Sequence, residues 1–247
     1  MFQKIYVWTL RECVQNRVFK IILVMNILLS VISGYTGSQT GMNFTYSTGL
    51  WPLFFGQFGV ILCVNVLICR TLSYIVRKNG MFDLEKCTQL DMKVFILSKY
   101  LAYFTIAIIL QIMNIWICII KTYLLYFHTI RESVATVLTV TWLKYFFAGL
   151  PLIIFMIALI LFAVLCFKAT ALVTMISVIN MVVLTLHLPY DCWYLPTFQM
   201  MRMCTTTDYL WINKCPPMVV LLYAGLLLVL AAGLMWWTCK ILRRTKA

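Results

Sequence analysis

Long apolar runs dominate the chain, and only a few polar stretches break them. Runs over about 18–34, 50–69, 95–120, 145–167, 169–188 and 218–239 stand out. Each approaches the roughly 20 residues needed to cross about 30 Å of hydrocarbon. They predict six transmembrane helices. Residues 2–16, ahead of the first run, follow a helical period instead. At about 100° per residue, Phe2, Tyr6, Thr9, Leu10, Cys13 and Val14 share one face, and Lys4, Arg11, Glu12, Gln15 and Asn16 the other. That pattern predicts an interfacial helix lying along a bilayer. A plain cytoplasmic extension of the first run is the alternative.

The longest polar interruption is 70–100, with Arg70, Arg77, Lys78, Lys86, Lys93 and Lys99 against Asp83, Glu85 and Asp91. A charge at the bilayer centre costs about 2.5–3.5 kcal/mol on insertion scales, so this stretch is expected in the cytoplasm. Asn79-Gly80 breaks it, Asp83 can cap a short helix over 84–89, and Asp91 can cap the helix of the third run. Other interruptions are milder. Residues 34–49 are uncharged and rich in Gly, Ser and Thr, as expected of an outer loop. Residues 121–143 are moderately polar and are placed at or beyond the outer membrane edge. Lys168 marks a tight inner turn. The segment 189–217, with Pro189, Pro196, Pro216 and Pro217, is too broken for a span and predicts short helices dipping part-way into the membrane.

Composition agrees with this picture. Hydrophobic residues make up 64% of the chain and charged ones 11%, with mean hydropathy +0.96. A soluble domain carries about 25% charged residues, so a soluble protein is excluded. Six spans in 247 residues leave no room for a separate soluble domain, which makes 1–247 one transmembrane domain. The net charge of +13 reflects where the cations lie. Fifteen of the 20 Lys and Arg fall on the side of the N-terminus, the 70–100 stretch, Lys168 and the tail; Lys121, Arg131, Lys144, Arg202 and Lys214 fall opposite. The positive-inside rule then puts both termini in the cytoplasm of a multi-pass plasma-membrane protein, with no need of nucleic acid.

Candidate chemistry is sparse. No GxxxxGK[ST], HExxH or GxSxG occurs. The ten cysteines show no CxxC spacing; Cys63, Cys69, Cys118 and Cys166 read as small hydrophobes. Cys192, Cys204 and Cys215 cluster in the outer segment, where they either form one disulfide or stay reduced. His128 and His187 sit near outer ends of runs, as interfacial residues or as a bis-histidine haem pair. The runs hold no acid, so the carboxylate relay of a proton-driven transporter is missing. Asn26, Gln57, Asn65, Gln111, Asn114 and Asn180 are polar groups within the runs. They either hydrogen-bond between helices, at about 0.6 kcal/mol each, or line a substrate path.

Taken together, the amphipathic 2–16, the six runs, the charged 76–94 loop and the broken 189–217 segment resemble the permease subunit of a bacterial type-2 ABC exporter. The match covers the whole chain in architecture. Residues 81–90 look like the family's coupling helix, Ser98-Lys99-Tyr100-Leu101 like its Gly-Lys-Leu-Leu at the start of span three, and Gly80-Met81-Phe82-Asp83-Leu84-Glu85 is a faint version of its acidic-Gly-Thr-Leu-Glu pattern. The short length looks most like permeases for export of, or immunity to, lantibiotics and other antimicrobial peptides. The resemblance implies an all-α polytopic fold: an elbow helix, six transmembrane helices, and partly inserted helices between spans five and six. It implies a chain that is not itself an enzyme and holds no cofactor, with ATP and Mg on a partner ATPase subunit. Asp83, Leu84, Glu85, Lys86 and Asp91 become the expected ATPase-coupling residues, and a second permease subunit, identical or related, is expected to complete the path. Other readings are an ATPase-independent secondary transporter or channel, and a membrane haem or redox protein using His128 and His187.

Overall fold

The computed structural model describes residues 2–32, 51–77, 91–126, 132–167 and 217–244. All of these but Asn16 and Asp91 are helical. The helices are α1 (Phe2–Gln15), α2 (Arg17–Ile32), α3 (Trp51–Arg77), α4 (Met92–Tyr126), α5 (Glu132–Phe167) and α6 (Pro217–Arg244). Among the described residues, three stretches are long and apolar enough to cross a membrane: Met92–Ile117, Gly149–Cys166 and Leu221–Leu242. They mark the chain as a membrane protein. Gly59–Leu72 in α3 is a shorter apolar stretch. The fifth run, the 189–216 insertion, His128, His187, Cys192, Cys204 and Cys215 lie outside the described residues.

Local chemistry explains the helix starts. Asn16 separates α1 from α2 and caps the latter: its Oδ1 accepts from Val18 N at 2.9 Å and its carbonyl from Lys20 N at 3.2 Å. Asp91 caps α4 as expected, with Oδ1 accepting from Lys93 N at 3.1 Å and its carbonyl from Phe95 N at 3.1 Å. Proline stands at the first position of α6, Pro217, and the second of α3, Pro52, where a missing N–H is harmless.

Two helices outrun the predicted spans. α4 has 35 residues, about 52 Å at 1.5 Å each, and reaches Tyr126; α5 has 36 and begins at Glu132. Much of the moderately polar 121–143 stretch therefore continues helices, because it contains no Gly or Pro to stop them. Pro151 lies inside α5 without ending it. It removes the donor for the Phe147 carbonyl, and the adjacent Phe146 carbonyl accepts Gln111 Nε2 from α4 at 3.4 Å. A neighbouring helix thus supports the backbone where the ladder is weakened.

The core gathers where α3, α4 and α5 meet. Val64, Leu67 and Ile68 of α3 and Ile96, Tyr103 and Leu110 of α4 pack with Ile153, Ile157 and Leu161 of α5. α2 lies against α3, α1 against α4, and α6 against α5. α6 is the outermost: 17% of its spanning stretch is buried, against 56% for α5.

Candidate functional site

Polar side chains inside an apolar bundle must find partners, and here most of them meet on α4. At its first turns Lys99 is 1% exposed, and its Nζ lies 3.2 Å from Glu12 Oε2 of α1. The ammonium also lies 4.5 Å from the Trp8 ring centroid and 5.7 Å from that of Phe95. A carboxylate on one side and aromatic faces on the other replace water around a buried cation. Nearby, Tyr6 OH and Thr105 Oγ1 share a hydrogen bond of 2.8 Å. Tyr6 meets Thr105 and Glu12 meets Lys99, so α1 runs antiparallel beside the first part of α4.

The docked face of α1 is largely the predicted apolar one, with Thr9 and Cys13 fully buried. Two positions differ from the expectation. Val14 is 57% exposed, and Glu12, expected among the water-facing residues, is turned to Lys99. The physical reason is that a buried lysine on α4 recruits the nearest acid, and Glu12 is the sole acid before Asp83. Sequence reasoning missed this pair. The available signal was a lysine, Lys99, at the edge of an apolar run that needs a counter-charge.

α4 also ties the other helices together. Tyr103 OH and Thr71 Oγ1 join it to α3, and Thr71 Oγ1 lies 2.8 Å from the Leu67 carbonyl. Tyr100 OH donates to the Ile154 carbonyl of α5 at 3.1 Å. Deeper, Asn26 Nδ2 of α2 donates to Asn114 Oδ1 at 3.2 Å.

The expected path-lining residues can now be placed. Asn26, Asn65, Gln111 and Asn114 are all buried, at 0–3% exposure, between helices. Asn65 Oδ1 accepts from Cys69 Sγ at 3.5 Å. Among the described residues, Asn26 Oδ1 and Gln111 Oε1 have no hydrogen-bond partner. The Gln57 side chain and Asn180 lie outside the described residues. Of the expected coupling residues, Asp83, Leu84, Glu85 and Lys86 also lie outside them, while Asp91 is exposed at the cap of α4. Among the described residues, no group of three His, Cys, Asp or Glu side chains is placed to hold a metal ion.

No family model and no curated protein matches this chain. A charged stretch ends at Asp91, and the helix that starts there is fastened by side chains to α1, α2, α3 and α5.

Proposed function

We propose that the chain is the membrane-spanning subunit of an ATP-driven exporter. It would form the translocation path with a second permease subunit, identical or related, and couple to a separate ATPase. The cargo is an amphipathic or antimicrobial peptide, or another hydrophobic molecule. The observation that carries the reading is the anchoring of α4 directly after the charged 76–94 loop. A push on that loop enters α4 at Asp91 and reaches α1 through Lys99–Glu12, α3 through Tyr103–Thr71 and α5 through Tyr100. The sequence motifs supply neither a nucleotide site nor an intramembrane carboxylate relay, so a partner must supply the energy. Asp83, Glu85 and Lys86, with Asp91, are the proposed polar contacts to that partner.

The test is purification of the chain in mild detergent with whatever binds it, followed by an ATP hydrolysis assay. A P-loop ATPase in fixed ratio, lost when residues 81–90 are replaced, supports the proposal. Export that survives both that replacement and charge reversal of Asp83 and Glu85 overturns it.

A further inference from the structure

The Met92–Ile117 stretch holds an ionisable pair within its length: Lys99, and Glu12 brought in by α1. A charge inside a membrane span is costly, and where one is kept it marks a route for ions or protons. Lys99 also begins a polar column. Tyr103, Gln111 and Asn114 lie within about 120° of it around α4, and all four are 0–3% exposed. The facing helix continues the column. Tyr103 OH meets Thr71 Oγ1, and Asn26, bonded to Asn114, packs on Gly59, so α3 runs antiparallel to α4. The buried Asn65 then falls opposite the turn that precedes Gln111, and its Oδ1 accepts from Cys69 Sγ at 3.5 Å. From Lys99 to Asn114 the column rises about 22 Å, against about 30 Å of hydrocarbon. At its far end Asn26 Oδ1 and Gln111 Oε1 meet no donor among the described residues. Water is the donor that suits such oxygens in an apolar bundle.

We propose that this column carries protons through the bundle. The ionisable groups near Lys99 are Glu12 and Cys13 of α1; near Tyr103 they are the same two and Cys69 of α3. Glu12 is the one carboxylate among them, and its side chain is 30% exposed, which makes it the entry from water. A proton taken up there is exchanged past the Lys99 ammonium and along the Tyr103 and Thr71 hydroxyls, each accepting one proton and releasing another. Waters held by the open amide oxygens carry it onward, and nothing is consumed. The buried ammonium also sets the selectivity. It repels a metal cation, whereas a proton passes by exchange with it. The acid that the apolar runs lack is thus supplied from outside them, by α1. The inference does not depend on export or on an ATPase.

The test uses the full chain reconstituted alone in sealed vesicles that hold a pH-sensitive dye. A potassium gradient with valinomycin sets the membrane potential, and inward proton flux is read from the dye. The chain should raise that flux above the level of protein-free vesicles. Tyr103→Phe and Gln111→Leu should each cut the increment roughly tenfold, since each removes one hydrogen-bonding group from the column. Both variants nearly keep the side-chain volume, and Thr71 retains the Leu67 carbonyl at 2.8 Å, so the bundle stays folded. Lys93→Gln, exposed and outside the column, should leave the flux unchanged. Flux no greater than in protein-free vesicles overturns the proposal. So does a flux that neither Tyr103→Phe nor Gln111→Leu lowers, and so does an equal flux of sodium, which would make the column a general ion leak.

Discussion

A buried lysine is tolerated only while its counter-charge is present, which makes Lys99 and Glu12 a pair to be tested together. Glu12→Ala leaves the ammonium with aromatic faces alone. The loss should be roughly 2–3 kcal/mol, below the 3–5 of a fully buried pair because the Glu12 side chain is 30% exposed. Adding Lys99→Met should recover much of it, since an apolar chain of similar shape leaves no charge to offset. Thermal unfolding of the two single variants and the double in detergent gives the coupling, and additive losses would mean that the pair does not act as one unit. Cys13 makes a second expectation. Burial pushes its thiol up to about 12, with Lys99 opposing and Glu12 adding. The group therefore stays a neutral thiol at pH 7–8 and should resist maleimide in the native protein while reacting after denaturation. Because the unfolded thiol ionises near its ordinary value of 9.0 and the docked one does not, α1 docking should weaken as pH rises from about 9 toward 12. Neither residue could be assigned this role from sequence alone, since helical periodicity gives faces but not the identity of what packs on them.

Between elements, the tightest constraint is where α2 crosses α3. A Cβ at Gly59 would lie 1.9 Å from Asn26 Oδ1 and 2.8 Å from its Cγ. Gly59→Ala must therefore displace the Asn26 amide and disturb its bond to Asn114. The expected loss is about 1–3 kcal/mol, the range for overpacking, and Asn26→Ala in the same chain should restore part of it. Equal melting of Gly59→Ala and the parent protein would refute the close approach. The apolar runs over 18–34, 50–69, 95–120, 145–167 and 218–239 were legible in the sequence, and the described residues of each are helical. Their ends were less legible. Charge and hydropathy report where lipid begins, whereas a helix stops only where a breaker or a lost hydrogen bond stops it, so α4 and α5 run on through 121–126 and 132–143.

On the scale of the whole molecule, α6 presents Leu221, Leu222, Val229 and Trp236 outward while α5 is enclosed. That gradient of burial is what a bundle bordering lipid requires. The proposed orientation, with both termini in the cytoplasm, makes a direct prediction. A Gln3→Cys or Thr245→Cys variant, made in a chain whose ten native cysteines are replaced by serine, should in intact cells be labelled by a permeant thiol reagent and spared by an impermeant one. Labelling of either by the impermeant reagent would reverse the assigned sidedness. The polar residues proposed for a path had two readings in the sequence. In the fold, four of them lie between the helices of one chain, and Asn26 and Gln111 each keep an amide oxygen without a partner among the described residues. A buried acceptor left open costs about 1–3 kcal/mol, so these two positions are the least satisfied among the described residues.

The sequence by itself determined that this is a helical membrane protein, because an apolar run of sufficient length has few alternatives in lipid. It also determined one helix start, at Asp91, because caps act within a few residues of themselves; the cap at Asn16 emerged only in the structure. Tertiary structure alone decided that α1 packs along α4, that Glu12 serves Lys99 rather than water, and that Val7, Trp8 and Val14 face outward. The reason is distance along the chain. Glu12 and Lys99 are 87 residues apart, and no local period records which helix a buried charge will find.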